Sequence, residues 1–215
     1  MLHQSGLQGV FNPRLSPKLF PLKKRVLVID GHPDPESFCA SLGEQYVAGA
    51  RLAGHLTMHL RLRELNFDPN LKYGYRIPYE LEPDLLLAQD CIKAADHIVI
   101  VSPVWWGSVP ALLKGFLDRV MLPNFAFKFS DDFFFIWKPL LTGRSGRLLL
   151  TMNLPQHLTR PISGQPTINA LKYLTLGFSG IWPIRTRTYW PAEHVPEEVH
   201  QFWLARAKML GERAG

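Results

Sequence analysis

Two loops hold the residues of this chain whose types and spacing suit ligand binding. The first is Gly31–Ser37, which carries His32 and ends in Ser37, where a helical pattern begins. The free amides and positive dipole end of a helix favour a phosphate, and an imidazole can add a donor. The loop has neither G-x-G-x-x-G nor G-x-x-x-x-G-K-[ST], so the dinucleotide fingerprint and the P-loop are both absent. A phosphate site and a plain N-cap beside a surface histidine both stay open for this loop.

The second loop, Ser102–Gly107, carries Pro103 and two adjacent tryptophans, Trp105 and Trp106. Two indole rings suit a flat conjugated ligand, and Gly107 allows the backbone to approach such a ligand closely. A single tryptophan is more often part of a core, but two adjacent loop side chains rarely both point inward. The composition of this loop therefore favours a site for a flat ring system.

Strand and helix patterns alternate along the chain and bring both loops to one edge of a sheet. The predicted strands are residues 25–30, 56–62, 97–101, 147–152 and 184–190, and the predicted helices are residues 38–53, 83–95, 108–120, 167–178 and 196–213. This alternation predicts an α/β fold: a flavodoxin-like three-layer sandwich with a five-stranded parallel sheet of order 2-1-3-4-5 and helices on both faces. The second strand alternates as an edge strand does. Ligands of such sheets bind at the switch point between strands 1 and 3, where the two loops lie.

Charge and composition indicate one domain, residues 25–215, after a flexible basic extension, residues 1–24. The chain is 47% hydrophobic, which suits one substantial core. Five basic residues precede Asp30, the first acidic one, and without them 19 basic and 18 acidic residues remain. This near-neutral body argues against a nucleic-acid partner. We expect the extension to be a solvated tail, with peripheral contact to an anionic membrane surface as the alternative.

Cysteine usage and apolar runs indicate the compartment. Cys39 and Cys91 form neither a disulfide framework nor a metal-ligand pattern, so no metal site is expected. Prolines interrupt the first 24 residues, which therefore lack the apolar core of a signal peptide. No run approaches the ~20 apolar residues of a transmembrane helix. These features predict a cytoplasmic protein without a transmembrane segment.

Residues 102–120, S-P-V-W-W-G-S-V-P-A-L-L-K-G-F-L-D-R-V, resemble the DT-diaphorase type of quinone reductase and its bacterial relatives. Those relatives include the modulator-of-drug-activity proteins and the ancillary subunits of Kef potassium efflux systems. His32, Ser37 and Phe38 match the H-x-x-x-x-S-F pattern of the same family. The similarity runs from about residue 25 to the end of the chain and weakens after residue 145.

The resemblance implies a bound flavin, FAD with FMN as the alternative, and NADH or NADPH as electron donor. It implies flavin contacts for His32, Ser37, Phe38, Cys39, Pro103, Val104, Trp105, Trp106, Gly107, Thr151, Asn153 and Leu154. The first three match contacts to the phosphate and ribitol, and residues 103–107 match those that hold the ring. Cys39 stands where the family usually has Asn, and a thiol is a weak donor. Residues 151–155 replace a T-T-G-G-like turn, but the amides of Asn153 and Leu154 remain for the flavin carbonyl edge.

A third segment resembles the family's substrate-covering residues. Phe127 and Phe129 stand where relatives have tyrosines that reach across a homodimer to cover the partner's substrate pocket. With Trp106, they form the predicted substrate pocket. We assign no catalytic side chain: His157 is the one candidate near the expected position, and an ordinary loop role is favoured for it.

The resemblance predicts a homodimeric NAD(P)H oxidoreductase without a protein nucleophile. A hydride passes from the nicotinamide to the flavin and then to a quinone-like acceptor in a ping-pong cycle. The alternative is a flavin-binding regulatory or ancillary subunit of a membrane transport system with little turnover. An electron-carrying flavodoxin is disfavoured because such domains are usually acidic, and this chain has a net charge of +6.

Overall fold

The computed structural model describes residues 23–129, 137–154, 161 and 164–214. Most of the basic extension predicted over residues 1–24 and the candidate His157 lie outside these ranges. The strands of the chain are β1 Arg25–Asp30, β2 Leu56–Arg61, β3 His97–Pro103, β4 Phe127–Phe129, β5 Trp137–Pro139, β6 Ser145–Thr151 and β7 Ile184–Tyr189. The helices are α1 Phe38–Leu52, α2 Pro83–Ala94, α3 Ala111–Val120, α4 Pro166–Asn169 and α5 Glu197–Arg213. A 3₁₀ turn, Leu62–Glu64, follows β2, and a π-helix, Ala170–Gly177, continues α4.

Five strands form a parallel sheet in the order β2-β1-β3-β6-β7, and β4 and β5 form a separate antiparallel pair. Without that pair, the order is the predicted 2-1-3-4-5. The alternating strand β2 lies at the edge, as expected, and the continuously apolar β1 and β3 lie inside. In register, Asp30 pairs with Val101, and Thr151 pairs with both Pro103 and Tyr189. The carboxyl ends of β1, β3, β6 and β7 therefore meet at one edge.

Alternate residues of each central strand enter different cores. Leu27 and Ile29 of β1 join the core to which α2 and α3 contribute. Val26 and Val28 join the core to which α1 and α5 contribute. The two-residue period of a strand explains this division, because successive side chains point to opposite faces. Helices thus cover both faces, which is why the central strands β1 and β3 are almost continuously apolar.

Two glycines bring α1 and α5 into backbone contact. A Cβ atom on Gly49 would lie 1.9 Å from the Lys208 carbonyl oxygen, and one on Gly211 would lie 2.1 Å from the Tyr46 carbonyl oxygen. No larger residue fits at either position without moving a helix. This packing fixes α1, whose first turn reaches the carboxyl edge of the sheet.

The predicted start of the third helix, at Ser108, was wrong. Ser108 does not cap α3, which begins at Ala111 after the N-cap Pro110. A proline disfavours helical backbone at the preceding residue, so Val109 and Ser108 stay outside the helix. Ser108 instead pairs with Trp105 in an isolated antiparallel bridge. No helix within the described ranges has the length and apolar character needed to cross a bilayer.

Candidate flavin site at the carboxyl edge

A cavity of about 340 Å³ lies at the carboxyl edge, where β1, β3, β6 and β7 end. Its lining residues are His32, Asp34, Ser37, Phe38, Cys39, Pro103, Val104, Trp105, Thr151, Met152, Asn153, Ala192 and Glu193. The volume lies within the usual range of small-molecule sites, roughly 300–1,000 Å³. Most residues predicted to contact a flavin line this cavity, whereas Trp106, Gly107 and Leu154 do not. The two predicted loops thus come together at the switch point of the sheet.

Ser37 begins α1 and forms part of the cavity wall. Its hydroxyl accepts a hydrogen bond from the Ala40 amide at 3.2 Å and donates one to the Asp34 carbonyl at 2.8 Å. The predicted N-cap is therefore confirmed. The amides of Phe38 and Cys39 precede the first position that an intrahelical acceptor can serve. These two amides and the positive end of the helix dipole would favour an anion at this end of the cavity.

The His32 ring is held as a hydrogen-bond donor. Its Nδ1 accepts the Asp34 amide at 3.0 Å, so a neutral ring carries its proton on Nε2. Burial lowers the pKa of His32, and Arg63 lowers it further, while Asp30 and Asp34 oppose the shift. The ring meets Trp105 edge to face, with 5.4 Å between centroids. A neutral imidazole therefore stands beside the indole on the cavity wall.

Phe38 packs into an aromatic group between α1 and α5. Its ring stacks on His200 at 4.6 Å and meets Tyr189 edge to face at 6.1 Å. His200 also contacts the Ala192 carbonyl, with Nε2 3.0 Å from the oxygen. One histidine of α5 therefore links Phe38 to the cavity-lining loop that follows β7.

Cys39 and Thr151 meet at the cavity, where the thiol sulfur lies 3.1 Å from the Thr151 hydroxyl oxygen. Burial raises the pKa of Cys39 to about 12, so the group stays a protonated thiol at neutral pH. It is therefore no nucleophile. Cys39 stands where the resembling family usually has Asn, and its polar contact is made to the protein itself.

The two tryptophans diverge. Trp106 and Gly107 have φ angles of 52° and 74° and form a two-residue turn closed by the Ser108 amide, which donates to the Trp105 carbonyl at 2.9 Å. Positive φ at both central residues is the pattern of a type I′ turn. The turn leaves Trp106 fully exposed, with Trp105 on the cavity. Gly107 is thus required by the backbone conformation of the turn.

The loop after β6 reaches the cavity through Met152 and Asn153. The Val104 amide donates to the Thr151 carbonyl at 2.8 Å, which ties the loop after β3 to the end of β6. The Met152 amide donates to the Tyr189 carbonyl at 3.0 Å. Leu154 is exposed and does not line the cavity. Asn153 is therefore the nearer of the two predicted partners for a flavin carbonyl edge.

Phe127 and Phe129 lie away from the cavity, on the β4–β5 pair. Their rings meet edge to face at 5.3 Å, and Phe127 also packs against Phe178 at 4.9 Å. Phe129 is 62% exposed. A substrate-covering role for this pair needs a second copy of the chain, so it stays a prediction.

Sequence reasoning missed several cavity residues: Asp34, Met152, Ala192 and Glu193. Ala192 and Glu193 follow β7, and the signal was available, because every parallel strand of the sheet ends at the same edge. Within the described parts of the chain, no group of three or more His, Cys, Asp or Glu residues is placed to hold a metal ion.

A cavity at the β1–β3 switch point of a sheet ordered in this way defines a flavodoxin-like α/β protein. The chain belongs to the family described as having a flavodoxin-like fold, which matches residues 24–210. A ribosyldihydronicotinamide dehydrogenase [quinone] from Rattus norvegicus is 32% identical over 125 residues, 48% of this chain and 54% of that protein. The resemblance drawn from residues 102–120 is thereby confirmed. The chain spans from about half to just under two thirds of the length of such curated relatives.

Solved structures share the fold. An NAD(P)H:quinone oxidoreductase from Methanothermobacter marburgensis has a TM-score of 0.74 at 20% identity, covering 90% of this chain and 100% of that one. An FMN-dependent NADH-azoreductase from Bacillus anthracis, in complex with FMN, has a TM-score of 0.67 at 19% identity, covering 89% and 99%. At these identities, the similarity establishes the architecture.

Proposed function

We propose that this chain is a flavin-dependent NAD(P)H oxidoreductase that passes a hydride from a nicotinamide to bound flavin and then to a quinone-like acceptor. The observation that carries the proposal is the cavity at the switch point, which the loops after β1, β3 and β6 line together. The names of the rat and Methanothermobacter proteins, both quinone-linked dehydrogenases, support the same assignment.

The residues of the cavity fit a flavin. Trp105 offers an aromatic ring that is 44% exposed, and His32 offers a neutral Nε2 donor beside it. The amides of Phe38 and Cys39 would favour a phosphate at their end of the cavity. Asn153 supplies polar groups at the opposite loop. These features match a flat ring with a polar edge and a phosphorylated side chain.

A bound flavin would supply the hydride chemistry, accepting two electrons from the nicotinamide and giving them to the acceptor at the same place. The side chains position this group and keep water from it. Val104 and Trp105 close one wall, and Thr151 and Cys39 contribute uncharged polar groups at another. No cavity side chain has to form a covalent bond, which agrees with the protonated state of Cys39.

The proposal also covers the identity of the flavin, the electron donor, the start of the domain and the oligomeric state. We propose FAD as the flavin, with FMN, which the Bacillus anthracis azoreductase binds, as the alternative. NADH or NADPH serves as the donor. The flavin-binding domain begins at residue 25. The active form is a homodimer in the cytoplasm. In this dimer, the partner's Phe127 and Phe129 cover the substrate side near Trp106.

Anaerobic reduction of the purified protein tests the proposal. After reconstitution with FAD or FMN, addition of NADH or NADPH should bleach the visible flavin band, and menadione should then restore it. Flavin that binds without being reduced would contradict the reductase and favour the ancillary-subunit alternative. Failure to bind either flavin would overturn the site itself.

A further inference from the structure

We infer that the buried Asp30–Arg63 ion pair is a positioning device for the flavin site: it anchors the His32 backbone and presents no net charge to the imidazole ring. The inference rests on the proposed function for the identity of the ligand. It adds two residues that do not line the cavity and that the proposed chemistry does not use.

Asp30 is placed to hold the first loop from inside the sheet. It is the last residue of β1 and is fully buried between Arg61 of β2 and Val101 of β3. One carboxylate oxygen accepts the His32 amide at 3.1 Å, and the other accepts Arg63 Nη1. Both oxygens are thus engaged, one with the loop and one with the cation.

Arg63 approaches the same loop from the 3₁₀ turn after β2. Its side chain is only 10% exposed, and Nη1 also lies 3.4 Å from the His32 carbonyl oxygen. The pair therefore contacts the His32 backbone on both sides of its Cα atom: Asp30 accepts from the amide, and Arg63 lies at the carbonyl. The ring that this backbone carries stands on the cavity wall beside Trp105.

A contribution to the stability of the fold does not by itself explain this buried ion pair. Buried ion pairs are often no more stabilising than apolar side chains of the same volume, because both ions lose their water. Arg63 Nε is also buried and has no hydrogen-bond partner among the described residues. A buried donor without a partner is destabilising. We therefore assign the pair two other roles: it positions the His32 backbone, and its two opposite charges balance each other near the imidazole ring.

The charge balance acts on His32. Among the described residues, the charges that act on the ring come from Asp30 of β1, Asp34 of its own loop and Arg63 of the 3₁₀ turn. Glu193 of the loop after β7 lines the same cavity, and Trp105 of the loop after β3 meets the ring without charge. Asp30 and Asp34 favour the imidazolium, and Arg63 opposes it. Removing either member of the buried pair leaves the other uncompensated close to the ring. The two single substitutions should therefore act in opposite directions.

The test is the His32 pKa, measured by NMR titration of the full chain without added flavin, with His32→Gln to assign the signal. Arg63→Met should raise the pKa of His32, and Asp30→Asn should lower it. The double variant Asp30→Asn/Arg63→Met should return it close to the wild-type value. A purely structural role would not give shifts of opposite sign. Arg25→Met, which breaks the Arg25–Asp96 pair at the other end of β1, is the matched control and should leave His32 unchanged.

Binding of FMN and FAD to the same proteins gives the second measurement. Arg63→Met should weaken flavin binding about tenfold, and the double variant should recover part of this loss, since its neutral pair leaves no unpaired buried charge. If Arg63→Met does not fold, Asp30→Asn and the double variant still test the sign of the shift. Shifts of one sign, or none, in folded variants would overturn the inference. A wild-type protein that binds no flavin but shows opposite shifts would instead overturn the proposed function.

Discussion

The Cys39 thiol lies 3.1 Å from the Thr151 hydroxyl and joins the first turn of α1 to the end of β6. Both side chains are buried, and the pKa of Cys39 is raised to about 12 because burial penalises the thiolate. The wall of the cavity at this point is therefore neutral and polar. A neutral, polar wall suits the proposed function, in which a bound cofactor carries the reaction and the protein orients it.

The buried thiol predicts a loss of stability in alkali. Cys39 in the unfolded chain ionises near its ordinary pKa of 9.0, whereas the native thiol stays protonated to about 12. The unfolded state thus binds fewer protons in this window, and the free energy of unfolding should fall as pH rises through it, by about 1.4 kcal/mol per pH unit. Urea unfolding across this range should show a shallower fall for Cys39→Ser. Cys91, raised to about 11, contributes equally to both proteins. Curves of equal slope would contradict the prediction.

A buried histidine predicts a loss of stability in acid. His97 is 1% exposed, and its two nitrogens lie 3.1 Å from the Tyr46 hydroxyl and 2.8 Å from the Ser145 hydroxyl. Burial lowers the pKa of His97 to about 3 from its ordinary 6.5. Only the unfolded chain takes up this proton between those values. Stability should therefore fall as pH drops through that window, by about 1.4 kcal/mol per unit for this residue.

The variant His97→Gln separates that titration from the lost hydrogen bond. Glutamine does not titrate, so its curve of unfolding free energy against pH should fall less steeply below about pH 6.5. The absolute stability of the variant at neutral pH does not test the titration, because the lost hydrogen bond also affects it. His59, whose pKa is also lowered to about 3, remains in both proteins. Identical slopes for the two proteins would exclude a neutral His97 in the native state.

The turn at Trp106 predicts a gain of stability on substitution. A bulky residue at a φ of 52° is strained, and the Asn-Gly pair is preferred in such turns. Trp106→Asn should therefore stabilise the flavin-free protein by about 1 kcal/mol, which raises Tm by about 2–4 °C in a chain of this size. If Trp106 covers substrate, the same variant should raise the KM for menadione. A lower Tm would show that the exposed indole makes contacts in solution that outweigh the strain.

The aromatic β4–β5 pair predicts a separation of binding steps. Phe129→Ala removes a largely exposed ring, so it should raise the KM for menadione and leave flavin affinity nearly unchanged. Phe127→Ala should act in the same direction, with some loss of stability because Phe127 packs against Phe178. Steady-state kinetics and flavin titration measure the two effects. Flavin loss equal to that of Trp105→Ala would refute the division between the two sites.

The sequence predicts the sheet and the place of the site, because each depends on local patterns. The apolar runs of β1 and β3, the alternation of β2 and the cap at Ser37 each have a short-range cause. Their order along the chain then determines the switch point. For the same reason, most of the predicted flavin residues come together, because the carboxyl ends of parallel strands share an edge.

What the sequence cannot predict depends on contacts between distant segments. In the sequence, nothing distinguishes Arg63 from the other basic residues, because only the fold brings it to Asp30. Likewise, no sequence pattern links His200 to Phe38, because their contact forms only when α5 packs on α1. The turn at Trp106 was missed for another reason: Asn-Gly marks such a turn, and Trp-Gly does not. The apolar pattern of Ala170–Gly177 suits an ordinary α-helix, so the sequence does not reveal that this segment has the hydrogen bonds of a π-helix.

The flavin dissociation constants of two variants at adjacent residues show whether the cavity beside Trp105 holds the flavin. Trp105 lines the cavity, whereas Trp106, the next residue, does not. Trp105→Ala should weaken FAD or FMN binding about tenfold through the loss of a stacking surface, and Trp106→Ala should stay within about twofold of wild type. Equal loss in the two variants, or unchanged affinity in Trp105→Ala, would contradict the placement of the flavin in this cavity.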